Sequence, residues 1–162
     1  MFKILPAGEP DIPLIRDLTL RIWPATYGSI LSAEQMSYML EWMYSPASLQ
    51  QQMQAGARFL LVLDQEEPVG FASFQQMSPG HFKLHKLYVL PSQQGRGTGR
   101  FLVETILEEC RRQGGQSLVL QVNRHNQARG FYERLGFRVT GEADFDIGGG
   151  YYMNDYIMER TL

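Results

Sequence analysis

The hydrophobic pattern changes along the chain from helical spacing to continuous or alternating apolar segments. In the first third, apolar residues recur every three or four positions, which is typical of amphipathic helices packed on one side. Ser32 stands where the second of these helices needs an N-cap. One strand and three helices are predicted before residue 58: strand 2–5 and helices 11–23, 32–44 and 46–54.

Three apolar segments then follow with short polar joins, and such joins imply antiparallel neighbours. A long amphipathic helix should begin after the glycine-rich turn near residue 97 and end at Gly114 and Gly115. The predicted elements after residue 57 are strands 58–64, 66–77 and 81–90, the long helix, strand 117–122, helix 126–135 and strands 136–147 and 151–160. The expected fold class is α+β, with a strand–helix–strand crossover before a closing hairpin.

Composition indicates one globular domain over residues 1–162. Apolar residues make up 44% of the chain and charged residues 20%, which suits a packed core. The formal net charge of −2 argues against nucleic acid as a partner, and one cysteine excludes a disulfide framework. No apolar run approaches the about 20 residues of a membrane span, and the N-terminus lacks a signal-peptide pattern. We therefore expect a cytoplasmic protein without a membrane partner.

The turn "PSQQGRGTGR" (91–100) joins an apolar strand to the long helix and is rich in glycine. Free N–H groups at a helix N-terminus, preceded by glycines, form a nest for a phosphate or pyrophosphate. Counting from Gly95, both the P-loop and the Rossmann pattern require a glycine where Arg100 stands, so neither pattern fits. The remaining pattern is Q-x-x-G-x-G, formed by Gln94, Gly97 and Gly99.

With the preceding "LYVLP" strand, this loop resembles the pyrophosphate signature of the GNAT family of N-acyltransferases. The segment "HNQARGFYERLGF" (125–137) resembles a second motif of that family, at the family's usual separation from the first. The resemblance implies a mostly antiparallel mixed sheet that is splayed between its fourth and fifth strands and flanked by helices. The ending "GEADFDIGGGYYMNDYIMER" (141–160) is most similar to bacterial polyamine (diamine) N-acetyltransferases.

The resemblance also implies where acetyl-CoA, the expected co-substrate, is held. Backbone groups of Tyr88 and Val89 would pair with the pantetheine arm. Asn126 resembles the family asparagine that contacts the coenzyme, with Asn123 as a rival. The pyrophosphate would lie against the loop residues Gln94, Gly95, Arg96, Gly97, Thr98, Gly99 and Arg100.

Two catalytic roles follow from the same comparison. Tyr132, in the "FY" pair, matches the family's general acid, although a half-buried structural tyrosine would look the same. Many relatives carry a glutamate on the strand seen here at 81–90, but this strand has none. By strand alternation His85 shares a face with Leu87 and Val89, so it is a candidate general base or a solvated histidine. A more distant acid, Glu41 or Asp155, could equally act through water.

The expected function is acetyl transfer from acetyl-CoA to a small primary amine, with a polyamine as the first choice. A peptide N-terminus is the second choice, and a non-catalytic acyl-CoA sensor is the competing class. Three acids on one strand face, Glu142, Asp144 and Asp146, would suit a polyamine or simply face solvent. The three histidines lack metal-ligand spacing, so no metal is expected. The apolar closing strands would suit a homodimer.

Overall fold

The computed structural model describes residues 1–162, which form seven strands and five helices. Short 3₁₀ turns at Glu9–Asp11 and Pro91–Gln93 precede the first and fourth helices. In chain order the elements are β1 (Phe2–Ala7), α1 (Ile12–Tyr27), α2 (Ala33–Tyr44), α3 (Pro46–Gln54), β2 (Arg58–Asp64), β3 (Glu67–Ser78), β4 (His81–Val89), α4 (Thr98–Arg112), β5 (Ser117–Asn123), α5 (Ala128–Arg134), β6 (Arg138–Gly148) and β7 (Tyr151–Thr161).

All seven strands form one sheet in the order β1-β2-β3-β4-β5-β7-β6. The pair β4 and β5 is parallel, and the other five pairs are antiparallel. Strands β4 and β5 pair only over His81–Leu84 and Ser117–Leu120, although both continue beyond that point. The sheet therefore opens into a wedge between its fourth and fifth strands, which confirms the predicted fold class and splay.

Helices cover both faces of the sheet and bury one continuous apolar core. On one face, Trp23 of α1 and Tyr44 of α2 pack on Tyr88 and Phe71. On the other face α4 lies along the sheet, where its exposed Phe101 still reaches Phe2 of β1. Because helices cover both faces, the strands β2 and β3 carry buried side chains on both sides. This arrangement leaves the wedge as a gap between two well-packed halves.

Two helices differ from their predicted bounds. α1 continues past Pro24 to Tyr27, since a proline in the last turn removes one hydrogen bond while burial of Trp23 and Tyr27 favours the extra turn. α5 begins at Ala128 rather than 126, because Asn126 Oδ1 accepts the Ala128 N–H as a turn residue at 2.9 Å. None of the helices is both long and apolar enough to cross a bilayer.

Candidate active site

Strand β4 carries a bulge at the point where the sheet opens. Leu84 pairs with Phe74 of β3 and Lys86 pairs with Ser73, so no residue of β3 stands opposite His85. An extra residue of this kind breaks the alternation of side chains and bends the strand. The bulge thus changes which side chains of β4 face the helices α1 and α2.

The prediction that His85 shares a face with Leu87 and Val89 is wrong for this reason, although His85 does face a cavity. His85 lies with Lys86 and Tyr88 on the face that α1 and α2 cover. Leu87 and Val89 do not line the cavity on that face. Simple alternation over an unbroken strand gave the opposite assignment. The bulge itself has no sequence signature here, because neither glycine nor proline marks it.

Beyond the bulge, one edge of β4 has no strand partner. The Leu90 N–H donates to the Val69 carbonyl of β3 at 2.8 Å, so alternation turns the backbone groups of Tyr88 toward β3 as well. The backbone groups of Leu87 and Val89 then point into the wedge. An extended ligand arm could add to this edge as a short strand.

The glycine-rich loop follows directly from that open edge. Gly95 and Gly97 have φ angles of +79° and +83°, a region that glycine adopts without strain. Thr98 Oγ1 donates to Gln93 Oε1 at 2.8 Å, and both side chains are buried. This hydrogen bond stabilises the loop from the side of the core. The loop is therefore fixed by backbone conformation at its glycines and by one buried hydrogen bond.

The loop and the first turn of α4 expose a set of free donors. The N–H groups without a backbone acceptor are those of Gly95, Gly97, Thr98, Gly99 and Arg100. Arg96 and Arg100 are exposed beside them, although each also contacts a carboxylate, Asp64 and Glu104 respectively. Donors at the positive end of a helix dipole are suited to an anion such as a pyrophosphate.

Three tyrosines meet at the wedge. The hydroxyl groups of Tyr27 and Tyr88 lie 2.9 Å apart, and the ring of Tyr132 packs edge-on against Phe131 and Phe137. Burial raises the pKa of Tyr132, and the nearby Tyr27 raises it further, so its phenol stays protonated at neutral pH. Tyr132 is therefore in the protonation state that a general acid needs, and its catalytic role stays a prediction.

A cleft of about 460 Å³ opens on the face of β4 that α1 and α2 cover. Its volume falls in the range of about 300–1,000 Å³ that is typical of small-molecule sites. Aromatic and thioether side chains of α1 and α2 form one wall, and polar side chains of β3, β4, β5 and β7 form the other. The lining includes Met39, Trp42, Met43, Gln75, Lys83, His85, Lys86, Tyr88, Asn123 and Asp155.

Asp155 is the one carboxylate that lines this cleft. It lies on β7 opposite Asn123 of β5, and its side chain is buried without a salt bridge. Burial raises the pKa of Asp155 to about 6, while Arg124 and Lys83 lower it by smaller amounts. An acid with such a pKa is mainly ionised at pH 7 and still basic enough to accept a proton.

A family model described as an acetyltransferase (GNAT) domain matches residues 30–149, well over half of the chain. The chain belongs to the GNAT acetyltransferase family. Membership in this family supports the predicted class, an acetyl-CoA-dependent N-acetyltransferase. The open wedge and the donor-rich loop agree with that class.

Two curated proteins and one solved structure are similar to this GNAT chain. It is 37% identical over 95 residues to peptidyl-lysine N-acetyltransferase YjaB of Salmonella typhimurium, covering 58% of this chain and 59% of that protein. It is 29% identical over 121 residues to the ribosomal protein bS18 alanine N-acetyltransferase of Haemophilus influenzae, covering 74% and 76%. The crystal structure of the PaiA N-acetyltransferase from Thermoplasma acidophilum, in complex with coenzyme A, shares the fold with a TM-score of 0.84 and 23% identity, over 100% of this chain and 99% of that one.

The two other base candidates of this GNAT chain are poorly suited. Burial lowers the pKa of His85 to about 4, with Lys83 and Lys86 adding to the effect, so it is a weak base. His85 Nε2 also lies 3.0 Å from Gln75 Oε1. Glu41 lies outside the cleft and lines a separate shallow hollow between α1 and α2. His85 and Asp155 both line the cleft, and Asp155 is the one whose pKa suits a proton acceptor at neutral pH.

The remaining sequence candidates have local partners. Asn123 lines the cleft, whereas Asn126 Oδ1 accepts the Ala128 N–H at the start of α5. In the acidic row of β6, Glu142 and Asp144 pair with Arg124. Asp146, the third acid of the row, accepts the Gly148 N–H. None of the three acids lines the cleft, so the row does not form a cation site there.

Proposed function

We propose that the protein binds acetyl-CoA in the wedge between β4 and β5 and transfers the acetyl group to a primary amine held in the cleft. One observation supports this most strongly. The open edge of β4 runs without interruption from the donor-rich loop at Gly95–Arg100 to the cleft that holds Asp155. A coenzyme laid along that edge would bring its thioester to the amine.

In this proposal the loop Gln94 to Arg100 binds the pyrophosphate through the free N–H groups of Gly95 and of residues 97–100, together with the side chains of Arg96 and Arg100. The backbone of Leu87 and Val89 pairs with the pantetheine arm. Tyr88, predicted to share this role, contributes its side chain to the cleft while its backbone pairs with β3. Asn126 is a weaker candidate for coenzyme contact, because its carbonyl oxygen is already engaged.

Asp155 accepts a proton from the ammonium form of the acceptor, directly or through water, and leaves the neutral amine to attack the thioester carbon. The new C–N bond forms as the C–S bond breaks. A free N–H of the β4 edge stabilises the charge that develops on the thioester oxygen. Tyr132 donates its phenolic proton to the departing thiolate and regains one as the amide nitrogen loses its second proton. His85 has no proton-transfer role in this scheme.

The acceptor is proposed to be a primary amine of a small molecule, as expected from the sequence. A polyamine is the less favoured choice, because the acids expected to bind it are engaged outside the cleft. A peptide or protein amine is the second candidate, since the names of the Salmonella and Haemophilus relatives specify peptidyl-lysine and a ribosomal-protein alanine.

Release of free thiol from acetyl-CoA tests the proposal, with amino acids, polyamines, aminoglycosides and short peptides as acceptors. We expect amine-dependent release and an acetylated product of the matching mass. Tight binding of CoA without release from any acceptor would instead favour a non-catalytic acyl-CoA module. Absence of CoA binding would reject both.

We also keep a homodimer as a proposal. β6 is an edge strand at the end of the sheet, so its outer backbone groups lack a strand partner. Light scattering of the purified protein measures the oligomeric state, and a mass twice that of the 18.6 kDa chain would support pairing of two copies.

A further inference from the structure

The cleft contains an excess of positive charge. The chain has three lysines, and two of them, Lys83 and Lys86, line this one cavity. The third, Lys3, lies on the surface and pairs with Glu66. Asp155 is the one acid on the cleft wall, so two ammonium groups face a single carboxylate.

Lys86 is held in an unusual setting for a lysine. Its side chain is only 8% exposed, and its ammonium lies 4.8 Å from the centre of the Tyr44 ring. It forms no salt bridge, and no protein acceptor receives a hydrogen bond from it. Lysines are almost never buried without a partner, because removing an ammonium from water is costly. An almost buried ammonium that faces a cavity, with an aromatic ring but no anion beside it, therefore points to an anionic ligand.

Lys83 reinforces the same charge from one side. It sits three residues earlier on β4 and pairs with Gln75 of β3, on the cleft side of the sheet. Burial lowers the pKa of Lys83, and the nearby Asp155 opposes this shift although it lies beyond salt-bridge distance. Burial and Lys83 lower the pKa of Lys86 to about 8, so Lys86 is still largely protonated at pH 7.

The coenzyme phosphates do not account for these lysines. The donor-rich loop starts beyond the far end of β4, and Lys83 is six residues before that end, or roughly 20 Å along the strand. The rest of the cleft wall is apolar near α2, where Met39, Trp42 and Met43 stand. A ligand that matches this lining has an anionic group and an apolar part.

Resting on the proposed transfer to a primary amine, we propose that Lys83 and Lys86 form an anion subsite and that the acceptor is a small amino acid with an apolar side chain. Its carboxylate binds between the two ammonium groups, its amine faces Asp155, and its side chain lies against Met39, Trp42 and Met43. A cleft of about 460 Å³ accommodates such a molecule. A polycation would place its additional positive charge beside two lysines, and the repulsion between like charges disfavours its binding.

Matched acceptors test the carboxylate requirement: leucine, leucinamide and isoamylamine, with spermidine and an acidic tetrapeptide alongside. Leucinamide has the lower amine pKa, so intrinsic reactivity at neutral pH favours the amide. We expect kcat/KM for leucine to exceed that for leucinamide by at least about 10-fold, because a hydrogen bond between two charged groups is stronger than one to a neutral amide. Equal values, or a preference for spermidine or the tetrapeptide, would overturn the subsite.

The variant Lys86→Met keeps the length of the side chain and removes the charge. It should lower kcat/KM for leucine by about 10-fold or more and bring the leucine-to-leucinamide ratio close to one. Lys3→Met, which removes the surface lysine, is the matched control and should leave both values unchanged. An equal loss for leucine and leucinamide would assign Lys86 another role and reject the subsite.

A binding measurement separates failure of the subsite from failure of the transferase proposal. Titration calorimetry with N-acetyl-L-leucine, a product of the proposed reaction, requires no turnover. Binding by the wild type that weakens about 10-fold in Lys86→Met supports the subsite even if thiol release fails. If release occurs with other amines but N-acetyl-L-leucine does not bind, the transferase stands and the subsite is wrong.

Discussion

Thr98 Oγ1 donates a 2.8 Å hydrogen bond to Gln93 Oε1, and both groups are buried beneath the donor-rich loop. The bond ties the first residue of α4 to the turn before the glycines. It therefore holds the loop in place without occupying any of the N–H groups that face outward. A buried polar pair of this kind is far more costly to break than a surface bond.

Thr98→Val should lower the free energy of unfolding by about 1–3 kcal/mol, because Gln93 Oε1 is left buried without a donor. Chemical denaturation measures this change. Ser73→Ala is the contrasting variant, since the buried Ser73 hydroxyl has no partner to lose. It should leave stability unchanged or raise it, and destabilisation by both variants alike would show that the hydrogen bond is not the cause.

Gly97→Ala should weaken CoA binding by about 10-fold. Gly97 has a φ of +83° at the N-cap of α4, where an alanine is strained by about 1–2 kcal/mol although no atom lies near its Cβ. Relief of that strain turns the loop N–H groups away from the ligand. Gly114→Ala is a matched control at the other end of α4, with a φ of +77° and equally open space.

Both glycine variants should lower the melting temperature to a similar extent. Only Gly97→Ala should change the Kd for CoA in titration calorimetry. If Gly114→Ala weakens CoA binding to the same degree, the effect comes from general loss of stability and not from the loop.

Tyr132→Phe should reduce kcat by about 10²–10⁴-fold and leave the Kd for CoA close to that of the wild type. The phenylalanine ring preserves the contacts with Phe131 and Phe137, so only the proton donor is lost. Tyr156→Phe is the control, because Tyr156 lies under Arg129 outside the cleft. Full activity of Tyr132→Phe would make the phenol structural.

The parts of the site that depend on short sequence motifs were predictable. The glycines of the loop and Tyr132 belong to short continuous motifs, so neighbouring residues in the sequence are enough to recognise them. The short joins between β2, β3 and β4 likewise predicted that these strands are neighbours. The cleft depends instead on long-range order. β7 inserts between β5 and β6, and this places Asp155 beside Asn123, far from it in sequence.

The bulge at His85 is the second feature beyond reach of a sequence pattern. A single unpaired residue reverses which side chains of β4 face the cleft, and nothing in "HFKLHKLYV" distinguishes a bulged strand from a regular one. The burial of Lys86 likewise follows from the register of β3 and β4 and not from its neighbours in sequence.

Glu66→Gly should raise the free energy of unfolding by up to about 1 kcal/mol. Gln65 and Glu66 form the turn between β2 and β3 with φ angles of 54° and 69°, a conformation that glycine adopts without a Cβ penalty. Glu66→Ala loses the same exposed ion pair with Lys3 but keeps the strain. Glu66→Ala should therefore be no more stable than the wild type, and a gain in both variants would exclude strain relief.

Asp155→Asn should abolish the acidic limb of the pH profile. Burial raises the pKa of Asp155 to about 6, so wild-type kcat/KM should rise with pH through that value as the carboxylate becomes able to accept a proton. The asparagine variant should be about 10²–10⁴-fold slower at pH 7.5 and show no inflection near 6. An inflection near 8 that persists in this variant and disappears in Lys86→Met would make Lys86 the base.

Stability provides an independent check on the same pKa. Because the folded-state pKa of Asp155 lies above its ordinary value of 3.8, the folded protein binds the proton more tightly than the unfolded chain. The stabilising effect of that proton is complete below about pH 4 and is lost as the pH rises through about 6. Asp155→Asn, which resembles the protonated acid, should therefore match the wild-type melting temperature at pH 4 and exceed it at pH 7.5. A variant that melts lower at both pH values would show that the ionised carboxylate stabilises the fold, and the raised pKa would be wrong.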